Sequence, residues 1–143
     1  MRVEFVTLGQ FDPRETLRKI ARLSRWFTRI EASGPAMSVT LQHGEISGTA
    51  VLAGIRVPRH EEALAVFNEL QPRLKKLTHS CGGIEIDIVL RPRIRDVLVE
   101  AWFRAPIHRV EDLIKKLEDV HAKIWEELEA YRMKKVNRLA PSG

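Results

Sequence analysis

Apolar and polar positions along the chain follow two different periods. Residues 3–8 form a short β-prone run. From Asp12-Pro13 onward, Leu17, Ile20, Leu23, Phe27 and Ile30 recur at steps of three and four, which predicts a helix to about Glu31, where Ala-Ser-Gly-Pro stops it. Residues 39–42 and 46–57, joined by His43-Gly44-Glu45, read as a hairpin whose second arm puts Thr49, Val51, Ala53, Ile55 and Val57 on one face. Pro58 then opens a second helix with Leu64, Phe67, Leu70, Leu74 and Leu77 inward, Pro72 as a kink point and Gly82-Gly83 as its end. Ile84, Ile86, Ile88 and Leu90 alternate as the next strand. Arg91-Pro92-Arg93-Ile94-Arg95-Asp96 turns into a strand carrying Val97, Val99, Ala101 and Phe103 on its inner face. Pro106 opens the last helix, which runs to about Asn137.

This order predicts the α+β class. In detail it predicts a ferredoxin-like βαββαβ core extended by a fifth strand and a long C-terminal helix, with an antiparallel sheet and the helices on one face. The 143 residues suit one domain, with the core to about residue 107 and the long helix over about 108–138. Arg56-Val57-Pro58-Arg59-His60 and Arg104-Ala105-Pro106-Ile107-His108 share Arg-x-Pro-x-His, and each closes a strand and opens a helix, the mark of a duplicated ββα unit. In the last helix Ile114, Leu117, His121, Ile124, Leu128 and Tyr131 make a heptad-like stripe, and the helix from Arg109 to Asn137 is about 43 Å long, more than strands of this length can cover. A homo-oligomer paired through that helix is the expectation. The competing reading is an exposed helix stabilised by pairs such as Glu111 with Lys115 and Asp119 with Lys123.

Composition bears on partners more than on fold. Apolar residues make up 44% and charged residues 30%, enough of both to fill a core and coat a surface. Glu4 interrupts what a leader would need, and no 18-residue apolar run follows, so the expectation is a cytoplasmic chain without a membrane partner. Cys81 has no second cysteine to bridge to, and it cannot supply a multi-cysteine metal site. The net charge is +5, carried by 16 arginines against 8 lysines, which suits planar oxyanions such as phosphate.

The strongest charge pattern is Arg14, Arg18, Arg22, Arg25 and Arg29, which on one helix share an arc of about 80° over about 22 Å, with no acid among them. That stripe is a candidate contact for RNA or DNA backbone; a solvated or glutamate-paired face is the alternative. Arg91, Arg93 and Arg95 alternate at the next tip and either join that contact or guard the turn. Arg56, His60, Arg104 and His108 mark two helix starts as anion-binding candidates. Alternation assigns Glu4, Glu85, Asp87, Glu100, Arg56, Arg104 and Trp102 to the face away from the helices, with Glu4 beside Glu85 or Asp87 in the ferredoxin-like order. Clustered carboxylates there can hold a cation or perform acid–base work, or simply form salt bridges. His79 and Cys81 at a helix exit lack a third partner for nucleophilic catalysis. No nucleotide loop, catalytic residue set, metal-ligand set or cofactor motif is present in the sequence. The leading reading is therefore a non-enzymatic binding protein, with a small-anion protein or enzyme and a structural subunit as the competing classes.

Overall fold

The computed structural model describes residues 4–6, 13–34 and 36–139, with side chains described for 14–34 and 36–134. Seven strands and three α-helices follow in the order β1 (Glu4–Val6), α1 (Pro13–Leu23), β2 (Arg29–Ser33), β3 (Met37–Gln42), β4 (Glu45–Arg56), α2 (His60–Lys75), β5 (His79–Cys81), β6 (Ile84–Pro92), β7 (Asp96–Pro106) and α3 (Val110–Leu139). One turn of 3-10 helix, Ile107–Arg109, precedes α3. The chain is of the α+β class. Its sheet is antiparallel and open, in the order β2-β3-β4-β7-β6-β5, and β1 pairs with the far end of β4.

This is not the ferredoxin-like order. That order would seat β1 next to β6. Instead β7 takes one edge of β4 along its whole length, and β3 and β1 share the other edge. The hairpins β3–β4 and β6–β7 each lead into a helix, and they meet through their second strands. An antiparallel pairing of equivalent strands is what a two-fold arrangement of two ββα units requires, and both copies of Arg-x-Pro-x-His stand at the strand-to-helix junctions.

Local chemistry accounts for the elements. In β6 and β7 the predicted alternation holds: Ile84, Ile86, Ile88, Leu90, Val97, Val99, Ala101 and Phe103 are all buried. In β4 it fails at Thr49 and Val51, because a bulge between Val51 and Ala53 shifts the register. Ile46 and Ala50 face the core before the bulge, and Ala53 and Ile55 after it. Leu52 lies at the bulge itself. Its backbone hydrogen-bonds His121 of α3, whose Nε2 accepts the indole N–H of Trp125 at 2.8 Å. Burial pushes this half-buried imidazole below the usual histidine range, against the smaller raising effect of the Leu52 hydrogen bond.

Three helix expectations are corrected. First, α1 ends at Leu23: Ser24 donates its hydroxyl to the Ala21 carbonyl, Phe27 N–H bonds Leu23, and Arg29–Ser33 is a strand paired with β3. Aromatic and β-branched residues at 26–28 disfavour another helical turn, and Ile30 and Ala32 alternate inward on β2. Second, α2 buries Ala63, Val66, Leu70 and Leu74, with Phe67 and Leu77 partly covered, while Leu64 lies on its exposed side. Third, Gly82-Gly83 does not cap α2, which ends at Lys75; it forms the β5–β6 turn, tied to the start of α3 by Arg109, which donates to the Gly82 carbonyl. Residues 3 and 7–8 of the first predicted strand lie outside the described residues.

Both α2 and α3 cover the apolar face of the sheet, and α1 packs against α3. The α3 stripe is buried from Val110 through Leu128 to Tyr131. Its length therefore loses its force as a reason for a second chain, because the helix crosses the sheet and meets α1 and α2 as well. No helix among the described residues is long and apolar enough to cross a membrane.

Candidate nucleic-acid interface

The arginines expected on one helix divide between three elements. Arg14, Arg18 and Arg22 lie on α1, Arg25 in the turn that follows, and Arg29 on β2. Leu17 and Ile20 are buried on the opposite side of α1, which leaves Arg14, Arg18 and Arg22 exposed beside α3. Arg18 grips Glu111 in two-pronged fashion, Nε to Oε1 at 2.8 Å and Nη2 to Oε2 at 2.9 Å. That hydrogen bond holds the Glu111 carboxyl below its usual range. Arg14 Nε lies 3.3 Å from Glu118 Oε1.

These two pairs run in opposite directions along the helices, so α1 and α3 are antiparallel. Continuing along α1 leads past Glu111 and off the start of α3, where no glutamate remains to be met. Arg22 and Arg25 stand in that stretch. Among the described residues neither has an ion-pair partner. Arg14, Arg18, Arg22 and Arg25, with Glu15, Ala21 and Glu111, line an open groove of about 630 Å³, four cations against two acids.

The 24–28 turn meets that groove at Arg25, and it exposes Phe27, which the spacing placed on the apolar side of a helix, together with Trp26. Trp26 is 79% exposed and Phe27 56%. Two adjacent aromatics followed by threonine were the available signal that the helix stops there. Behind Phe27 lies a second cavity of about 510 Å³, lined among others by Thr28, Leu41, Gln42, His43 and Ile107. Arg29 borders it and is paired with Glu31 at 2.7 Å.

The tip arginines are placed elsewhere. Arg91 donates from Nε and Nη2 to Glu100 Oε1 at 3.1 and 3.0 Å. Arg93 and Asp96 form a two-pronged pair at 2.6 Å, whose hydrogen bonds raise the guanidinium and lower the carboxyl. Arg95 is exposed without an ion pair among the described residues. The tip precedes β7 and the groove adjoins the α3 start that follows it, so β7 separates them by about 33 Å. They do not form one footprint.

The anion candidates also fail to converge. Arg56 is in register with Asp96, which lies about 27 Å along β7 from Arg104. His60 Nδ1 donates to the Arg93 carbonyl at 2.9 Å, Arg104 pairs with Glu85 and lies 3.9 Å from Glu45, and His108 sits exposed in the 3-10 turn.

On the open face of the sheet Trp102 is 45% exposed between Thr49 and Asp87. The carboxylates there are held by cations: Glu85 by Arg104, Asp87 by Lys75 at 3.1 Å, and Glu100 by Arg91. Glu4 is in register with Arg56, and β4 and β7 stand between its strand and β6, so the expected cluster is not assembled. Among the described residues no three His, Cys, Asp or Glu side chains are placed to hold a metal ion. Cys81 is an exposed thiol on β5, not at a helix exit. Comparison with family models, curated proteins and solved structures finds no match to this chain.

Proposed function

We propose that the chain binds nucleic-acid backbone through the α1 groove, with Arg22 and Arg25 as its principal phosphate contacts and Arg14 and Arg18 as flanking charges. The observation that carries this reading is the pair of arginines without an ion-pair partner among the described residues, in an open groove of about 630 Å³ lined by four arginines. An arginine already held by a carboxylate must give up that partner to take a phosphate, so Arg91 and Arg93 contribute little. The reading is narrower than the eight-arginine footprint expected from the sequence.

Fluorescence anisotropy with labelled oligonucleotides over a salt series tests it. Arg22→Glu/Arg25→Glu should weaken binding severely, and Arg22→Gln/Arg25→Gln should flatten the log–log salt dependence by about 1.4 on a single strand, about 0.7 for each lost phosphate contact. Arg91→Gln/Arg93→Gln should leave binding close to wild type. Absence of wild-type binding at low salt, or equal binding by the Arg22/Arg25 variants, would overturn the proposal.

A further inference from the structure

We infer that the nucleic acid taken by this groove is single-stranded, with one unpaired base seated in the cavity behind Phe27. The inference rests on the proposed backbone contact and adds to it the reading of the base.

Two cavities draw lining residues from the same turn. Within residues 24–29, Arg25 lines the arginine groove, and Ser24, Phe27, Thr28 and Arg29 line the 510 Å³ cavity. Arg25 and Phe27 are two residues apart, so their Cα atoms lie within about 7 Å, the span of one nucleotide from phosphate to base. The chemistry divides in the same way. On the groove side stand four guanidinium groups beside Glu15 and Glu111, and among the described residues Arg22 and Arg25 have no ion-pair partner. On the other side the walls are Phe27, Leu41 and Ile107, and the rim offers the Thr28 hydroxyl, the Gln42 amide and the His43 imidazole. Apolar walls with a few polar groups at the edge suit a flat heterocycle. Gln42 Nε2 and His43 Nε2 lie 3.4 Å apart at that rim, both on exposed side chains able to turn toward a base edge.

Exposed aromatic surface points the same way. Trp26 and Phe27 stand side by side, more than half exposed, next to the uncompensated cations. Backbone-tracking cations interleaved with aromatic faces are how single strands are held, because unpaired bases stack on rings while a duplex keeps its bases inside. Charge selects the occupant: a second copy of this chain would bring the same arginines to the same groove, whereas a polyanion brings the opposite sign.

The test compares one labelled oligonucleotide, single-stranded and annealed to its complement, against wild type, Phe27→Ala, Phe27→Tyr and Arg22→Glu/Arg25→Glu, with circular dichroism to confirm folding. Wild type should prefer the single strand. Phe27→Ala should lose at least about fivefold on the single strand with an unchanged salt slope and little on the duplex, and Phe27→Tyr should restore it. Quenching of tryptophan fluorescence on binding, lost in Trp26→Ala, would report stacking directly. Equal affinity for both forms that still depends on Arg22 and Arg25 would sink this inference and spare the backbone contact. Binding of neither form would remove both. A Phe27→Ala variant that instead changes sedimentation mass would assign the cavity to self-association and overturn the inference.

Discussion

Replacing Gly48 by alanine tests the packing that holds β4 at the centre of the sheet. Gly48 lies opposite Val39 on β3 and Phe103 on β7. A Cβ added there falls on the Ser38 carbonyl oxygen, closer than real Cβ atoms approach, and 3.0 Å from both Val39 Cα and Phe103 Cζ. The Phe103 ring can swing. Ser38 cannot, because it is backbone of β3 paired with Thr49. Relief therefore requires β3 to draw back by about an ångström, which costs about 1–3 kcal/mol of overpacking and about 1 kcal/mol for a weakened ladder bond. Stiffening the unfolded chain returns less than about 1 kcal/mol. The net loss is about 2–3 kcal/mol, or a melting point lower by about 8–12 °C for a chain of this size. Gly44→Ala is the control: its Cβ meets nothing within 4 Å, but φ is +71°, so only backbone strain of about 1–2 kcal/mol applies. Urea and thermal unfolding followed by circular dichroism measure both. If Gly48→Ala is no more damaging than Gly44→Ala, the close approach of β3 is wrong.

Other expectations follow from single contacts. His121 is held neutral by burial, so the unfolded chain takes up its proton first as pH falls through about 6.5, and this contribution to stability is lost from there down to the lower folded value. Urea midpoints between about pH 7.5 and 5.5 should fall in wild type and fall less in His121→Gln; parallel curves would refute that assignment. Leu128→Ala, at a fully buried site, should cost about 2–5 kcal/mol, while Met133→Ala, at a site 53% exposed, should stay within about 0.5 kcal/mol; equal losses in chemical unfolding would contradict the path of α3. Glu111→Gln removes a negative charge from the groove, so anisotropy should show tighter single-strand binding at low salt, and weaker binding would mean that Glu111 positions the groove.

How much of the fold was legible depended on whether a segment's partner was local. Residues 84–90 and 97–103 keep their inward alternation because one face meets the helices and the other water, with Leu98, also buried, as the exception. The stretch 24–33 was misread because its arginines and apolar residues continue the spacing of α1, while the competing order comes from pairing with β3 across the sheet. The bulge at Leu52 was invisible for a related reason. The period-two pattern on either side is intact, and only the alignment with β7 and the contact from His121, far along the chain, show that one residue is out of step.

Charge was legible in sign and illegible in availability. Spacing put five arginines on one helix, of which Arg14, Arg18 and Arg22 lie there, and whether a guanidinium is free is decided by acids on other elements. Glu111 lies 93 residues from Arg18, beyond any window in which periodicity operates. Once α1 and α3 are known to be antiparallel, the outcome follows from geometry. Glu111 and Glu118 are seven residues apart on α3 and serve arginines four apart on α1, so the acidic row is used up within two turns. Arg22 near the end of α1 and Arg25 in the turn beyond it pass the end of α3, where the chain turns back into the Ile107–Arg109 turn, which contains no acid. Arg22 and Arg25 are uncompensated because of where the two helices stop relative to one another, and the same end of α1 presents Trp26 and Phe27 to solvent. One geometric cause thus leaves cations and aromatic surface side by side, the combination that backbone contact and base stacking require.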